Sequence, residues 1–115
     1  MAKVDVVGVT KRPKERVMEA VQKAVEARLR EVKASIEKVG KSLKDFEAKH
    51  KMSTEIFYKK YLGGELEENL DFMEWRACKE ILDDLLEEKG LLEEITNWAS
   101  LNILEILHKN LSDIP

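Results

Sequence analysis

The stretch "VEARLREVKASIEKVGKSLKDF", residues 25–46, decides the fold. Its apolar residues Val25, Leu29, Val32, Ile36, Val39, Leu43 and Phe46 are spaced by 4, 3, 4, 3, 4 and 3. On an α-helix that spacing brings each side chain back to one narrow stripe, a heptad seam. The seam is either a core or a contact with a second copy of the chain. Upstream, Met18 and Val21 lead into Val25 with one 4–4 step, a stutter that locally unwinds a coil. Pro13 suits a first helical turn, where a missing N–H costs nothing. The predicted helix covers 13–50 and is roughly 55 Å long at 1.5 Å per residue. One small globule cannot cover that length. The later chain must fold back along it, or another copy must pack against it. Gly40, inside the seam, costs on the order of 1 kcal/mol relative to alanine and permits a bend or a close crossing.

Downstream, "KMSTEIF" breaks the helix. Ser53 has the chemistry of an N-cap, and Met52 with Phe57 fits a hydrophobic staple. A short helix over 53–62 follows, with Phe57, Tyr58, Tyr61 and Leu62 on a broad apolar face, and Gly63 and Gly64 end it. Asp71 and Glu74 then match a capping box, which starts a helix over 71–89. Phe72, Trp75, Cys78, Leu82 and Leu85 form its stripe. Gly90 is expected to close it. A last helix over 91–110 is apolar almost all round beyond residue 101, so it needs cover from a second chain or a partner. At the start, Val4, Val6, Val7 and Val9 give residues 1–12 the character of a short strand or a flexible basic arm. The whole predicts one all-α domain over 1–115: a long heptad-patterned helix followed by three shorter helices, in an oligomeric helical bundle or coiled coil.

Composition agrees with long solvated helices. Of 115 residues, 37% are charged and only 6% aromatic. A single cysteine, Cys78, cannot form an internal disulfide, which fits a reducing, cytoplasmic setting. No leader and no apolar run long enough to span a membrane are read in the sequence. The net charge of −3 hides an asymmetry. Residues 1–60 carry 16 Lys or Arg against 9 Asp or Glu, whereas residues 61–115 carry 4 against 14. Opposite charge lets the halves attract each other, within a chain or across a dimer.

The acids Glu65, Glu67, Glu68, Asp71 and Glu74 do not make a catalytic pair, because no His, Cys, Lys or Arg stands among them to tune one. Their spacing also departs from a calcium loop. They are read as a solvated linker and a helix cap. His50 and His108 are far apart, and no zinc spacing, phosphate loop or nucleophile elbow occurs. Cys78 lies on an apolar stripe and is read as a buried small side chain. The sequence thus predicts no enzyme, no cofactor and no metal. Lys11, Arg12, Lys14 and Arg16 are candidate nucleic-acid contacts, since a strand followed by a helix can build a DNA-binding dimer. The helix that follows is longer than such a module uses.

Residues 43–75, "LKDFEAKHKMSTEIFYKKYLGGELEENLDFMEW", resemble a group of small prokaryotic helical proteins regarded as antitoxin-like. The matching positions are Phe46, Glu47, Lys49, Met52, Ser53, Phe57, Gly64, Glu65, Leu66, Asp71, Phe72, Glu74 and Trp75. His50 and Lys51 stand where that pattern has Tyr-Gly, and the last helix extends beyond it. The resemblance implies a non-enzymatic protein that binds and neutralises a partner protein, a toxin. Tyr58, Tyr61, Phe72, Trp75, Trp98, Leu104 and Leu107 are the candidate partner contacts, with Phe72 and Trp75 read as core ahead of contact, and the seam is the candidate contact of a homodimer. A DNA-binding regulator and a purely structural coiled-coil assembly are the alternatives.

Overall fold

The structure, a computed structural model, describes residues 13–112, without the side chains of Ile103, Ile106, Leu107 and 109–112. The strand or basic arm expected over 1–12 lies outside the described residues. Within them every regular element is an α-helix: α1 (Lys14–His50), α2 (Thr54–Leu62) and α3 (Leu70–Ser112). Among the described residues the chain is all-α, with three helices where four are expected. The helices expected over 71–89 and 91–110 are one element of 43 residues. The reason lies at Gly90. It has no positive φ and nothing within 4 Å of where a Cβ would stand, so it is an ordinary helical residue on an exposed face. A glycine ends a helix only where the backbone turns left-handed; elsewhere it merely weakens the helix. The acids and leucines on either side of it keep the helical pattern going.

Two compact units are found. One comprises Arg30–Gly90, and the other Met1–Leu29 with Leu91–Pro115. In the Arg30–Gly90 unit, α1 turns back through α2 into α3. The turn after α1 places Lys51 at φ 52°, in the left-handed region. That is the position where the resemblance expects a glycine, and a side chain there costs on the order of 1 kcal/mol. Ser53 then caps α2 as expected: its Oγ accepts from the Ile56 N–H at 3.2 Å. The α2 helix ends in a Schellman motif. Glu65 N–H donates to Lys60 O and Gly64 N–H to Tyr61 O, with Gly64 at φ 72°. Gly63 stays right-handed, so only the second glycine supplies the special conformation.

The start of α3 also departs from expectation. Asn69, not Asp71, caps it: Asn69 Oδ1 accepts from Phe72 N–H at 2.8 Å. Asn69 stands one residue before the helix, the position from which a short side chain reaches the third helical N–H. Asp71 is already inside the first turn and is engaged elsewhere.

In the other unit, Gln22 Nε2 donates to Ser100 Oγ at 3.1 Å, and Leu29 lies beside Glu93 and Thr96. Residue numbers fall on one helix as they rise on the other, so these two segments run antiparallel. Val25 and Leu29 are half-buried, and Ala99 is buried at 1% exposure.

Replacing Gly90 by alanine tests the continuous helix. The substitution is expected to stabilise the chain by about 0.5–1 kcal/mol and to raise helical circular dichroism slightly. A loss of stability in urea unfolding would mean that the chain turns at Gly90.

Candidate functional site

The Arg30–Gly90 unit is built around Trp75. Leu43, Phe57 and Trp75 form its buried core, and Val39, Phe46, Met52, Tyr58, Tyr61, Leu66, Phe72, Cys78 and Leu82 pack against it. The seam delivers Val39, Leu43 and Phe46 from α1. Phe57 comes from the first turns of α2, and Trp75 from one turn inside α3. Trp75 and Phe57 are both fully buried. Their rings stack 3.9 Å apart with an interplanar angle of 3°. Trp75 also stacks on Phe46 at 5.7 Å and on His50 at 5.6 Å. Aromatic pairs of this kind add about 0.5–1.5 kcal/mol each beyond the area they bury.

Burying an indole leaves its N–H to be satisfied. Trp75 Nε1–H donates to Thr54 Oγ1 at 3.0 Å, in a fully buried bond. Thr54 is in turn held by its own N–H, which donates to Glu47 Oε2 at 2.8 Å. Glu47 thereby satisfies an orphan donor at the start of α2 and places a negative charge at its positive end. One chain of contacts, Glu47 to Thr54 to Trp75, links all three helices.

A second polar link closes the same turn. Asp71 Oδ2 accepts from Lys49 Nζ at 2.6 Å and from His50 Nε2–H at 2.9 Å. The Lys49 bond first, and the His50 bond second, hold the Asp71 carboxyl below its ordinary value of 3.8. Further out, Tyr58 donates to Glu80 Oε2 and Tyr61 to Glu68 Oε1, each at 2.9 Å. These carboxylates raise the two phenols above their ordinary range, chiefly because a phenolate would lose the bond. Lys79 and Arg76 cover the Tyr58 and Tyr61 rings at 5.0 and 5.5 Å. Burial, and then Glu74, pushes the half-buried Cys78 thiol up, which keeps it protonated.

The candidate contacts therefore divide. Trp75 has no exposed surface and cannot meet a partner, because its ring and its N–H are both used internally. Phe72 is half-buried in the same cluster, and Tyr58 and Tyr61 are bound to α3 or the linker before it. Trp98 and Leu104 are 60% and 62% exposed. The Leu107 side chain, like Lys11 and Arg12, lies outside the described residues; Lys14 and Arg16 are exposed in the first turn of α1. Of the seam, Val32 and Leu43 are buried and Ile36, Val39 and Phe46 half-buried within the Arg30–Gly90 unit. Sequence reasoning missed Thr54, Glu47 and Asn69 as polar anchors. Nor did it read Ile56, Leu62, Leu70, Met73 and Ile81 as outward-facing; they are between 48% and 70% exposed. The one available signal was the tryptophan itself, since a buried indole requires an acceptor somewhere in the chain. Compared with protein-family models, curated proteins and solved structures, the chain finds no match.

Two outcomes test this core. Thr54→Val keeps the shape of the side chain and removes the acceptor, so it is expected to cost about 1–3 kcal/mol, while Trp75→Ala costs about 3–5 kcal/mol. Urea midpoints with unchanged slopes measure both, and a neutral Thr54→Val would show that the indole N–H has no need of the hydroxyl. The second outcome concerns pH. Because the folded-state value of Asp71 is lowered, its contribution is present in full above 3.8 and lost as pH falls through the lowered value. Stability should therefore drop in acid more steeply for the parent than for Asp71→Asn. Melting curves between about pH 5 and pH 2 compare the two directly.

Proposed function

We propose that this chain is a non-enzymatic interaction protein, antitoxin-like, that binds a partner protein through the outer surface of its Arg30–Gly90 unit. The observation that carries the reading is the exposed apolar row Leu70, Met73 and Ile81 on α3, supplemented by Ile56 and Leu62 on α2. With the exposed Ala77, the α3 residues follow steps of 3, 4 and 4, one helical face. A monomer gains nothing from displaying such a row, and helices that do so commonly lay it into an apolar groove. Glu74 and Asp84 lie along the same exposed side of α3. The partner that fits is a protein with an apolar groove and a basic rim. The resemblance over residues 43–75 supports the same reading, because it covers the turn from which this row starts. It also supports a toxin as the partner.

Co-expression with the product of the neighbouring gene tests the proposal. A complex that survives gel filtration at micromolar concentration is expected. Leu70→Asp with Ile81→Asp should weaken it by on the order of a hundredfold, while thermal stability changes little because both positions are exposed. No complex with the parent chain, or full binding by the double variant, would overturn it.

A further inference from the structure

The unit formed by Met1–Leu29 and Leu91–Pro115 carries a second apolar face, which the partner reading does not use. On α1, Val17 and Val21 are 47% and 45% exposed, and Ala24 lies on the same side, also exposed. On α3, Ile95, Trp98 and Leu101 are 40%, 60% and 66% exposed. At 100° per residue, the α1 row lies about a quarter turn from the inward direction set by Met18, Gln22, Val25 and Leu29. The α3 row lies about a third of a turn, in the same rotational sense, from the direction set by Leu92, Thr96 and Ala99. The same sense on two antiparallel helices is the same side of the pair. The six residues thus make one continuous face.

The Gln22–Ser100 bond sets the register across that face. By it, Ala24 stands level with Trp98, Val21 with Leu101, and Arg28 with Glu94. The rim is charged with opposite sign on the two helices. Exposed Lys14 and Arg28 lie at the ends of the α1 row, and exposed Glu94 and Glu105 at the ends of the α3 row. Arg28 also makes an interaction within its own chain, which a rim position leaves compatible with a second contact.

We infer that this face is covered by the same face of a second copy, with the two-fold axis parallel to the helices, giving a four-helix bundle. This axis lays α1 of one copy against α3 of the other, in the register that already holds within the chain. Each Trp98 then meets the small Ala24 of the other copy, and each Arg28 meets a Glu94. The other two-fold arrangement, with the axis across the helices, lays α1 on α1 and α3 on α3. It sets Lys14 near Arg28 and Glu94 near Glu105, like against like, so charge selects the first.

Sedimentation of the full chain at micromolar concentration is expected to give a dimer. Trp98→Glu should weaken it by on the order of a hundredfold, since an aromatic anchor at the centre of a contact dominates its energy. The variant should keep its helical circular dichroism and its complex with the proposed partner, which separates failure of this inference from failure of the partner reading. Arg28→Glu and Glu94→Arg should each weaken the dimer several-fold. An equimolar mixture of the two should recover it, because both contacts between chains are then of opposite sign while those within each chain are not. A monomeric parent or a dimeric Trp98→Glu overturns the inference. Failure of the mixture to recover overturns the pairing of α1 with α3.

Discussion

The Arg30–Gly90 unit depends on one buried indole. Trp75 sits flat against Phe57, and its N–H has a single acceptor, Thr54 Oγ1. Burying the ring is worth several kcal/mol, but burying its N–H without an acceptor would take back about 1–3 of them. The acceptor therefore has to be brought to the ring, and this constrains the turn. Thr54 is the first residue of α2, so the start of α2 must lie over Trp75. Ser53 at the N-cap and Glu47 on the Thr54 N–H fix that start from both sides. The left-handed residue at Lys51 lets the chain reverse quickly enough to reach it. A strained residue is tolerated because what it permits is worth more than the strain.

Much of this unit could be read from the sequence, and the parts that could not share a physical cause. The seam, the Ser53 cap and the end of α2 are local patterns, decided within one or two turns, and they could be read directly. The end of the third helix was misread because Gly90 is locally indistinguishable from a C-cap; only the φ it adopts separates the two roles. Asp71 was misread because Asn69 and Asp71 are both good caps two residues apart. The choice went to Asn69 because Asp71 has partners more than twenty residues away, Lys49 and His50. Thr54 as the acceptor for Trp75 was out of reach for the same reason, since nothing local connects residues 54 and 75. Trp75 was legible as apolar and as core ahead of contact, but the sequence left a partner contact open. An aromatic on a wide stripe looks the same whether a core or a partner covers it.

Eleven of the thirteen positions that match the antitoxin-like pattern, all but Glu65 and Glu74, have structural duties here. Phe46, Met52, Phe57, Leu66, Phe72 and Trp75 make the core. Glu47, Ser53 and Gly64 fix the ends of α2. Lys49 and Asp71 form the clasp across the turn. A sequence pattern explained in this way by packing, capping and pairing is a recipe for the turn-back, and any chain needing that turn has use for it. Some residues that the pattern leaves free carry none of these duties. In this chain those are Ile56, Leu62, Leu70, Met73 and Ile81, which touch solvent and can change without disturbing Trp75. The same division runs along both helices: the inward residues of α2 and α3 answer to the indole, and the outward ones are free of it.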